Sequence, residues 1–245
     1  MTKPATSTEK IKRTPVKVAK VKRTPVTLQN TQQPSFQSLF ESLAPPQQQV
    51  QAASLKQIDP SSITQEQLQA LQVNNFPLWV LTSGIEVDHR PFDFDSHKYL
   101  IPLYMDRGRE VILMKAAQLG ATIYLLLKLI HFCKNNPAKA CLFFPTDEGV
   151  KLLSKDRLAP LIRSNAELAK LITDSDTLGY KQIGDKSSLY LRHLGGVASK
   201  DSTPFDMIAF DEVRLLDPAD IDQAKERISH STYKYVLQVS TAGYP

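Results

Sequence analysis

The stretch Val111-Ile112-Leu113-Met114-Lys115-Ala116-Ala117-Gln118-Leu119-Gly120-Ala121-Thr122 decides how this chain is read. Four apolar residues make a run of buried-strand type. A glycine then turns the chain tightly, and an apolar stretch of helical length follows to about Lys134. A strand, a tight loop and a helix form the setting in which main-chain N–H groups and the positive end of a helix hold phosphate. The usual phosphate loop reads G-x-x-x-x-G-K-[ST]. On that frame Gly120 is the second glycine and Thr122 is the hydroxyl that reaches magnesium. Ala121 stands where lysine is usual, and Lys115 stands where the first glycine is usual. The loop acts through its main chain, so a lysine at the strand end can fold over it and bring its ammonium to the β- and γ-phosphates from the other side. The same residues also read as a plain strand–turn–helix with small side chains for close packing. The pattern alone does not choose.

Outward from this stretch, strands and helices alternate. Ala140–Phe144 reads as a strand ended by Pro145. About Asp156–Ile172 reads as a helix, with Leu158, Leu161, Ile162, Leu168 and Leu171 at helical spacing. Ser188–His193, Phe205–Phe210 and Tyr235–Val239 read as further strands. Such alternation predicts an α/β fold whose mostly parallel sheet is covered by helices, with ligands at the carboxyl ends of the strands. Met207-Ile208-Ala209-Phe210-Asp211-Glu212 is an apolar strand ending in two carboxylates. Ninety residues past a phosphate loop it reads as the acidic partner of that loop, with Asp211 at the magnesium and Glu212 as the base that orients and deprotonates water. Alone, an apolar strand before Asp-Glu is common. A third site, Gln238-Val239-Ser240-Thr241-Ala242-Gly243, places small hydroxyls at the end of the last strand, where they can sense a γ-phosphate; by itself it is a turn.

The net charge of +5 over 245 residues belongs to the amino-terminal tail. Residues 1–25 hold eight Lys or Arg against one acid, Glu9, which leaves −2 over residues 26–245. The tail repeats Lys12-Arg13-Thr14-Pro15-Val16 as Lys22-Arg23-Thr24-Pro25-Val26, then turns rich in Gln, Pro and Ser. That composition predicts disorder over residues 1–60, either as a solvated leader or as a basic arm on DNA phosphates or a partner protein. Residues 61–108 read as a helical lead-in, with Ser61 or Ser62 as a helix cap, and residues 109–245 as the core that carries the phosphate loop. Cys133 and Cys141 read as free thiols rather than a metal cluster or a disulfide framework. No apolar run reaches the roughly 18 to 20 residues that span a bilayer, so no membrane role is expected.

The three sites, in this order and spacing, resemble the large terminase subunits of tailed phages, in particular the lambda-type GpA branch, whose phosphate-loop lysine stands at the front of the motif. Phe92 to Met105, Phe144-Pro-Thr-Asp-Glu148, Lys155-Asp-Arg157-Leu-Ala-Pro-Leu-Ile162 and Phe210-Asp-Glu-Val-Arg-Leu-Leu-Asp-Pro218 extend the likeness over about 90–245. It implies a P-loop fold of the RecA/ASCE kind and phosphate binding by Lys115, Gln118, Gly120 and Thr122 within the loop Lys115-Ala116-Ala117-Gln118-Leu119-Gly120-Ala121-Thr122. It also implies ATP and Mg2+ handling by Thr122, Asp211 and Glu212, and coupling of hydrolysis to movement by Ser240 and Thr241. The family pattern has Ser-Thr-Pro at that last position, where this chain has Ala242 after Ser240-Thr241. Arg157 is a candidate arginine finger toward a neighbouring subunit, against the plainer reading of an exposed arginine at a helix start. The implied function is a terminase ATPase motor in the host cytoplasm. It would form a homo-oligomeric ring and move double-stranded DNA into a procapsid with a portal protein and a small terminase subunit. A non-catalytic terminase fragment and a helicase-like P-loop ATPase are the alternatives. The family's nuclease domain is expected to be absent from this chain.

Overall fold

A computed structural model describes residues 64–95, 97–173, 177–195 and 203–242. The expectations for the basic tail, and for Gly243, fall outside these residues.

Helix α1 (Gln65–Val73) is capped by Thr64. Its hydroxyl accepts from the Gln67 N–H, while the Gln67 side chain accepts from the Thr64 N–H. This reciprocal box places the cap at Thr64 and so corrects the expected cap at Ser61 or Ser62. Helix α2 (Phe76–Thr82) starts at Asn75, whose side chain accepts from the Leu78 N–H. A two-stranded antiparallel hairpin follows, β1 (Glu86–Val87) and β2 (Arg90–Pro91). Its two turn residues, Asp88 and His89, both hold positive φ (52° and 63°), as a tight hairpin turn demands. A single 3-10 turn (Lys98–Leu100) leads into α3 (Ile101–Met105).

The main sheet is built from β3 (Glu110–Lys115), β4 (Lys139–Phe144), β5 (Tyr180–Ile183), β6 (Ser187–His193), β7 (Met207–Phe210) and β8 (Tyr235–Thr241), in the spatial order β3-β8-β7-β4-β6-β5. Every neighbouring pair is parallel except β5 with β6. The parallel sheet expected from the sequence is therefore present. β5 was not expected: Tyr-Lys-Gln-Ile has too few apolar residues to announce a strand, and it forms by hairpin pairing with β6. β3 also differs from its sequence reading. Its apolar run predicts a fully buried strand, yet it is the sheet's outer strand, and Ile112 and Met114 are 73% and 76% exposed. A run of four apolar residues cannot state which position in a sheet it takes.

Helix α4 (Ala121–Asn135) lies against one face of the sheet and is buried nearly all round, eleven of its residues being shielded from solvent. Asn135 and Asn136 close its last turn by donating from their side chains to the carbonyls of His131 and Phe132. Along β7, Met207 and Ala209 join the core under α4, while Ile208 and Phe210 join a second core under α8 (Pro218–Glu226). Phe76, Trp79, Tyr104 and Tyr124 join the same core as α4, so the segment before the sheet packs on the helix that carries the loop.

The helix expected from about Asp156 begins nine residues earlier. Thr146 caps α5 (Asp147–Leu152) by accepting from the Gly149 N–H, and a π-helical turn (Leu153–Leu158) continues into α6 (Ala159–Ser164). Asn165 then breaks the run before α7 (Ala166–Leu171). Its buried amide donates to the carbonyls of Leu161 and Glu86 and accepts from the Glu86 N–H at 2.6 Å. One side chain thus does for β1 what a neighbouring strand would do.

Two outcomes are expected. Asn165→Ala leaves both main-chain groups of Glu86 without that partner and lowers unfolding free energy by about 2–3 kcal/mol in denaturant titration. His131 accounts for the second. Burial lowers its pKa from 6.5 to about 4, and its Nε2 bonds to the Gln72 carbonyl in α1. The neutral ring is the folded form, so its stability is complete above pH 6.5 and is lost as pH falls toward 4. That loss amounts to about 3 kcal/mol at 1.36 kcal/mol per pKa unit. Denaturation at pH 7 and at pH 4.5 shows the fall in the wild type and a smaller one in His131→Gln.

Candidate active site

The parallel register brings the carboxyl ends of β3, β8 and β7 side by side. Lys115 pairs with Thr241, and Phe210, one residue before the acid pair, pairs with Gln238. Between β3 and α4 the chain makes its loop with two residues in the left-handed region, Gln118 (φ 61°) and Gly120 (φ 72°). A Cβ on Gly120 would meet only an ordinary contact with Leu100, so its backbone angle, not crowding, is what favours glycine here. Gly120 is the N-cap of α4 and offers no side chain to the first N–H groups of that fifteen-residue helix. Those donors are left for a ligand.

On the facing strand end, Asp211 is buried (1% exposed) and accepts from the Thr122 hydroxyl at 2.6 Å and from the Glu212 N–H at 2.9 Å. Burial raises its pKa; the Thr122 and Glu212 hydrogen bonds and the charge of Lys115 pull it back down. Glu212 sits at φ 53°, a left-handed conformation that costs a non-glycine residue about 1–3 kcal/mol and collects at functional sites. Its Oε1 lies 3.8 Å from Lys115 Nζ, and its Oε2 accepts from the Thr241 hydroxyl at 3.1 Å. Lys115 is nearly shielded from solvent, so its ammonium is held among these groups rather than in water.

A cleft of about 820 Å³ opens over this arrangement. Its floor is Lys115 with the loop residues Ala117 to Thr122, joined by Glu212 and Thr241; Ala116 does not line it. Ser240 and Asp211 do not line it; Asp211 accepts from the Thr122 hydroxyl, and Ser240 Oγ donates to the Thr241 carbonyl at 3.2 Å. The opposite wall is the β1–β2 hairpin and the segment after it, including Arg90, Phe92 and His97. Arg157 also lines this cleft, its guanidinium 3.9 Å from Asp88 at the hairpin tip. It lies inside the π-helical turn, which corrects the helix-start reading: the helical run already began at Asp147.

One residue escaped the sequence reading. Arg214, two positions after the acid pair, donates from its main-chain N–H to Ser240 Oγ at 3.0 Å and from Nε to Thr241 Oγ1 at 2.9 Å. Nothing in the residues pointed to it, because its partners lie 26 and 27 positions away.

Residues 102–244 match the family model described as phage terminase large subunit gpA, ATPase domain. Among solved structures the fold is similar to that of the HK97 bacteriophage large terminase, with a TM-score of 0.57 at 11% identity over 69% of this chain. The chain covers 37% of the length of that terminase. The Thermus phage P74-26 large terminase ATPase domain matches with a TM-score of 0.48 at 10% identity, covering 65% of this chain and 68% of that one. The UvsW helicase from bacteriophage T4 matches with a TM-score of 0.47 at 12% identity, over 79% of this chain and 68% of that one. No curated protein sequence matches. With more than half of its residues inside the family model, the chain belongs to the phage terminase large subunit gpA family and carries its ATPase domain.

Proposed function

We propose that this chain binds ATP with Mg2+ in the cleft and hydrolyses it, as the motor part of a machine that drives double-stranded DNA into a procapsid. The observation that carries this reading is the meeting of Lys115, Thr122, Asp211 and Glu212 at the carboxyl ends of β3 and β7, under an uncapped helix start.

The residues present suit the ligand. The main-chain N–H groups of residues 116–122 and the first turn of α4 are oriented donors for phosphate oxygens. Lys115 stands in for the missing loop lysine at residue 121. It lines the same cleft as the loop residues Ala117 to Thr122. The Thr122 hydroxyl and the Asp211 carboxylate are already adjacent, and a magnesium ion held by one hydroxyl, one carboxylate, phosphate oxygens and water is that ion's ordinary habit. Among the described residues no group of three or more His, Cys, Asp or Glu could hold a metal, and such a site does not need one. When bound, magnesium supplies charge neutralisation across the β- and γ-phosphates.

The chain's own part in the chemistry follows from the geometry. Glu212 is the group placed to accept the proton of a water that attacks the γ-phosphorus while the bond to the ADP oxygen breaks. For this it must be free of Lys115, which is what happens when Lys115 turns to the phosphates. Lys115 and Glu212 therefore hold one another while the cleft carries no nucleotide, and part when it fills. Ser240 and Thr241 report the change along β8. Phe92 and His97 are placed to meet the base. Arg157 adds positive charge at the mouth of its own chain's cleft, and a role toward a neighbouring subunit in a ring would require it to leave Asp88. Partners in that ring, a portal protein, a small terminase subunit and a place in the host cytoplasm all belong to this same reading. Among the described residues no helix is long and apolar enough to cross a membrane.

Steady-state hydrolysis of MgATP by the whole chain, with and without duplex DNA, tests the reading. Lys115→Ala is expected to weaken binding of an ATP analogue and to lower turnover about a hundredfold or more. Glu212→Gln is expected to keep binding and lose turnover by about 10²- to 10⁴-fold. A wild-type chain that binds nucleotide without turnover supports the non-catalytic alternative instead, and turnover indifferent to both changes excludes the site as drawn.

A further inference from the structure

The Thr241 hydroxyl stands between two groups of opposite character. It accepts from Arg214 Nε at 2.9 Å and is 3.1 Å from Glu212 Oε2, a carboxylate that can only accept. A guanidinium has no acceptor, so the single hydroxyl proton cannot point at Arg214 and must point at Glu212. Arg214 thus decides the orientation of the hydroxyl, and the hydroxyl holds the carboxylate. Arg214 Nε is itself 3.6 Å from Glu212 Oε2, but the side chain is 46% exposed, so screening leaves the direct ion pair weak and the hydrogen-bonded route through Thr241 the stronger one. The main chain adds a second tie. The 3-10 turn Val213–Leu215 directly follows Glu212, and the Arg214 N–H in it donates to Ser240 Oγ at 3.0 Å.

We propose that Arg214 is a positioning residue: it fixes the Thr241 hydroxyl toward Glu212 and ties the turn after the acid pair to the end of β8. The proposal deepens the reading of Glu212 as base and rests on it. It explains how a shift of the β8 end reaches the carboxylate without a separate moving part. Lys115 also lies on Glu212, at 3.8 Å from its other carboxylate oxygen. When it turns away, Thr241 with Arg214 behind it is what remains to keep Glu212 in its strained, left-handed pose. Arg214 does this from the 3-10 turn that follows β7, through Thr241 at the end of the strand that lies between β3 and β7.

Two measurements on the whole chain test this. Amide hydrogen exchange without nucleotide reads the tie itself. Ser240→Ala is expected to speed exchange of the Arg214 amide at least about tenfold, because its acceptor is gone. Unchanged exchange overturns the tie. The kcat and KM for MgATP read the consequence. Arg214→Ala and Thr241→Val are each expected to lower kcat about tenfold or more with KM within about twofold, and Arg214→Lys to keep most of the rate. The double variant Arg214→Ala/Thr241→Val is expected to be no slower than the slower single one, since both act along one path. Losses that multiply in the double variant, or that fall on KM instead of kcat, overturn the proposal. If the wild type shows no turnover, the ATPase reading fails and the exchange result alone decides whether Arg214 ties the turn to β8.

Discussion

The ladders between β3, β8 and β7 set everything else. Lys115 lies opposite Thr241 in one, and Phe210 lies opposite Gln238 in the next. With β8 between them, the lysine that ends β3 and the acids that follow β7 cannot touch through the sheet itself. They meet only at the strand ends: Lys115 is the last paired residue of β3, and Asp211 and Glu212 lie one and two residues past the last pair of β7. Side chains of four or five atoms span that gap, so a one-residue slip in either ladder would separate Lys115 from Glu212 or turn Thr241 to the far face. Burial on both faces holds the register of β7. Ala209 and Met207 are locked under α4, and Ile208 and Phe210 are locked under α8.

The same constraint explains how a loop lysine can be moved. A lysine at residue 121 would start α4 and reach the phosphates from the helix side. Lys115 ends β3, on the sheet side, with its ammonium 3.8 Å from Glu212 Oε1. On the proposed reading the relocation would couple two functions that are separate in the ordinary loop, one ammonium serving both the phosphates and the carboxylate. Ala121 in turn packs into the core at 2% exposed, a place a lysine could not take. Upstream, Asn165 holds β1 through Glu86, and the hairpin it anchors forms the opposite wall of the cleft.

Much of this was legible in the residues. α4 follows from an apolar stretch, interrupted by Lys128 and His131, that runs to about Lys134, and β7 from four apolar residues before an acid pair. Thr122, Asp211 and Glu212 were readable as candidates from their residue types and order, and the structure brings the Thr122 hydroxyl and the Glu212 N–H onto Asp211. What the residues could not state was long-range. The outer position of β3 depends on which strand pairs beside it. β5 exists only because β6 offers it an edge. The start of α5 at Thr146 lay under a Pro-Thr-Asp stretch that also reads as a turn. Arg214 was invisible because its partners, Ser240 and Thr241, are some 26 residues away and are brought to it only by β8.

The central claim is that Lys115 serves as the phosphate-loop lysine. A crystal structure of the chain with magnesium and a slowly hydrolysed ATP analogue tests it most directly. The account predicts that Lys115 Nζ has left Glu212 and lies within hydrogen-bond distance of the β- or γ-phosphate oxygens, with the loop N–H groups around them. A bound nucleotide whose phosphates are held elsewhere, with Lys115 still beside Glu212, would contradict it.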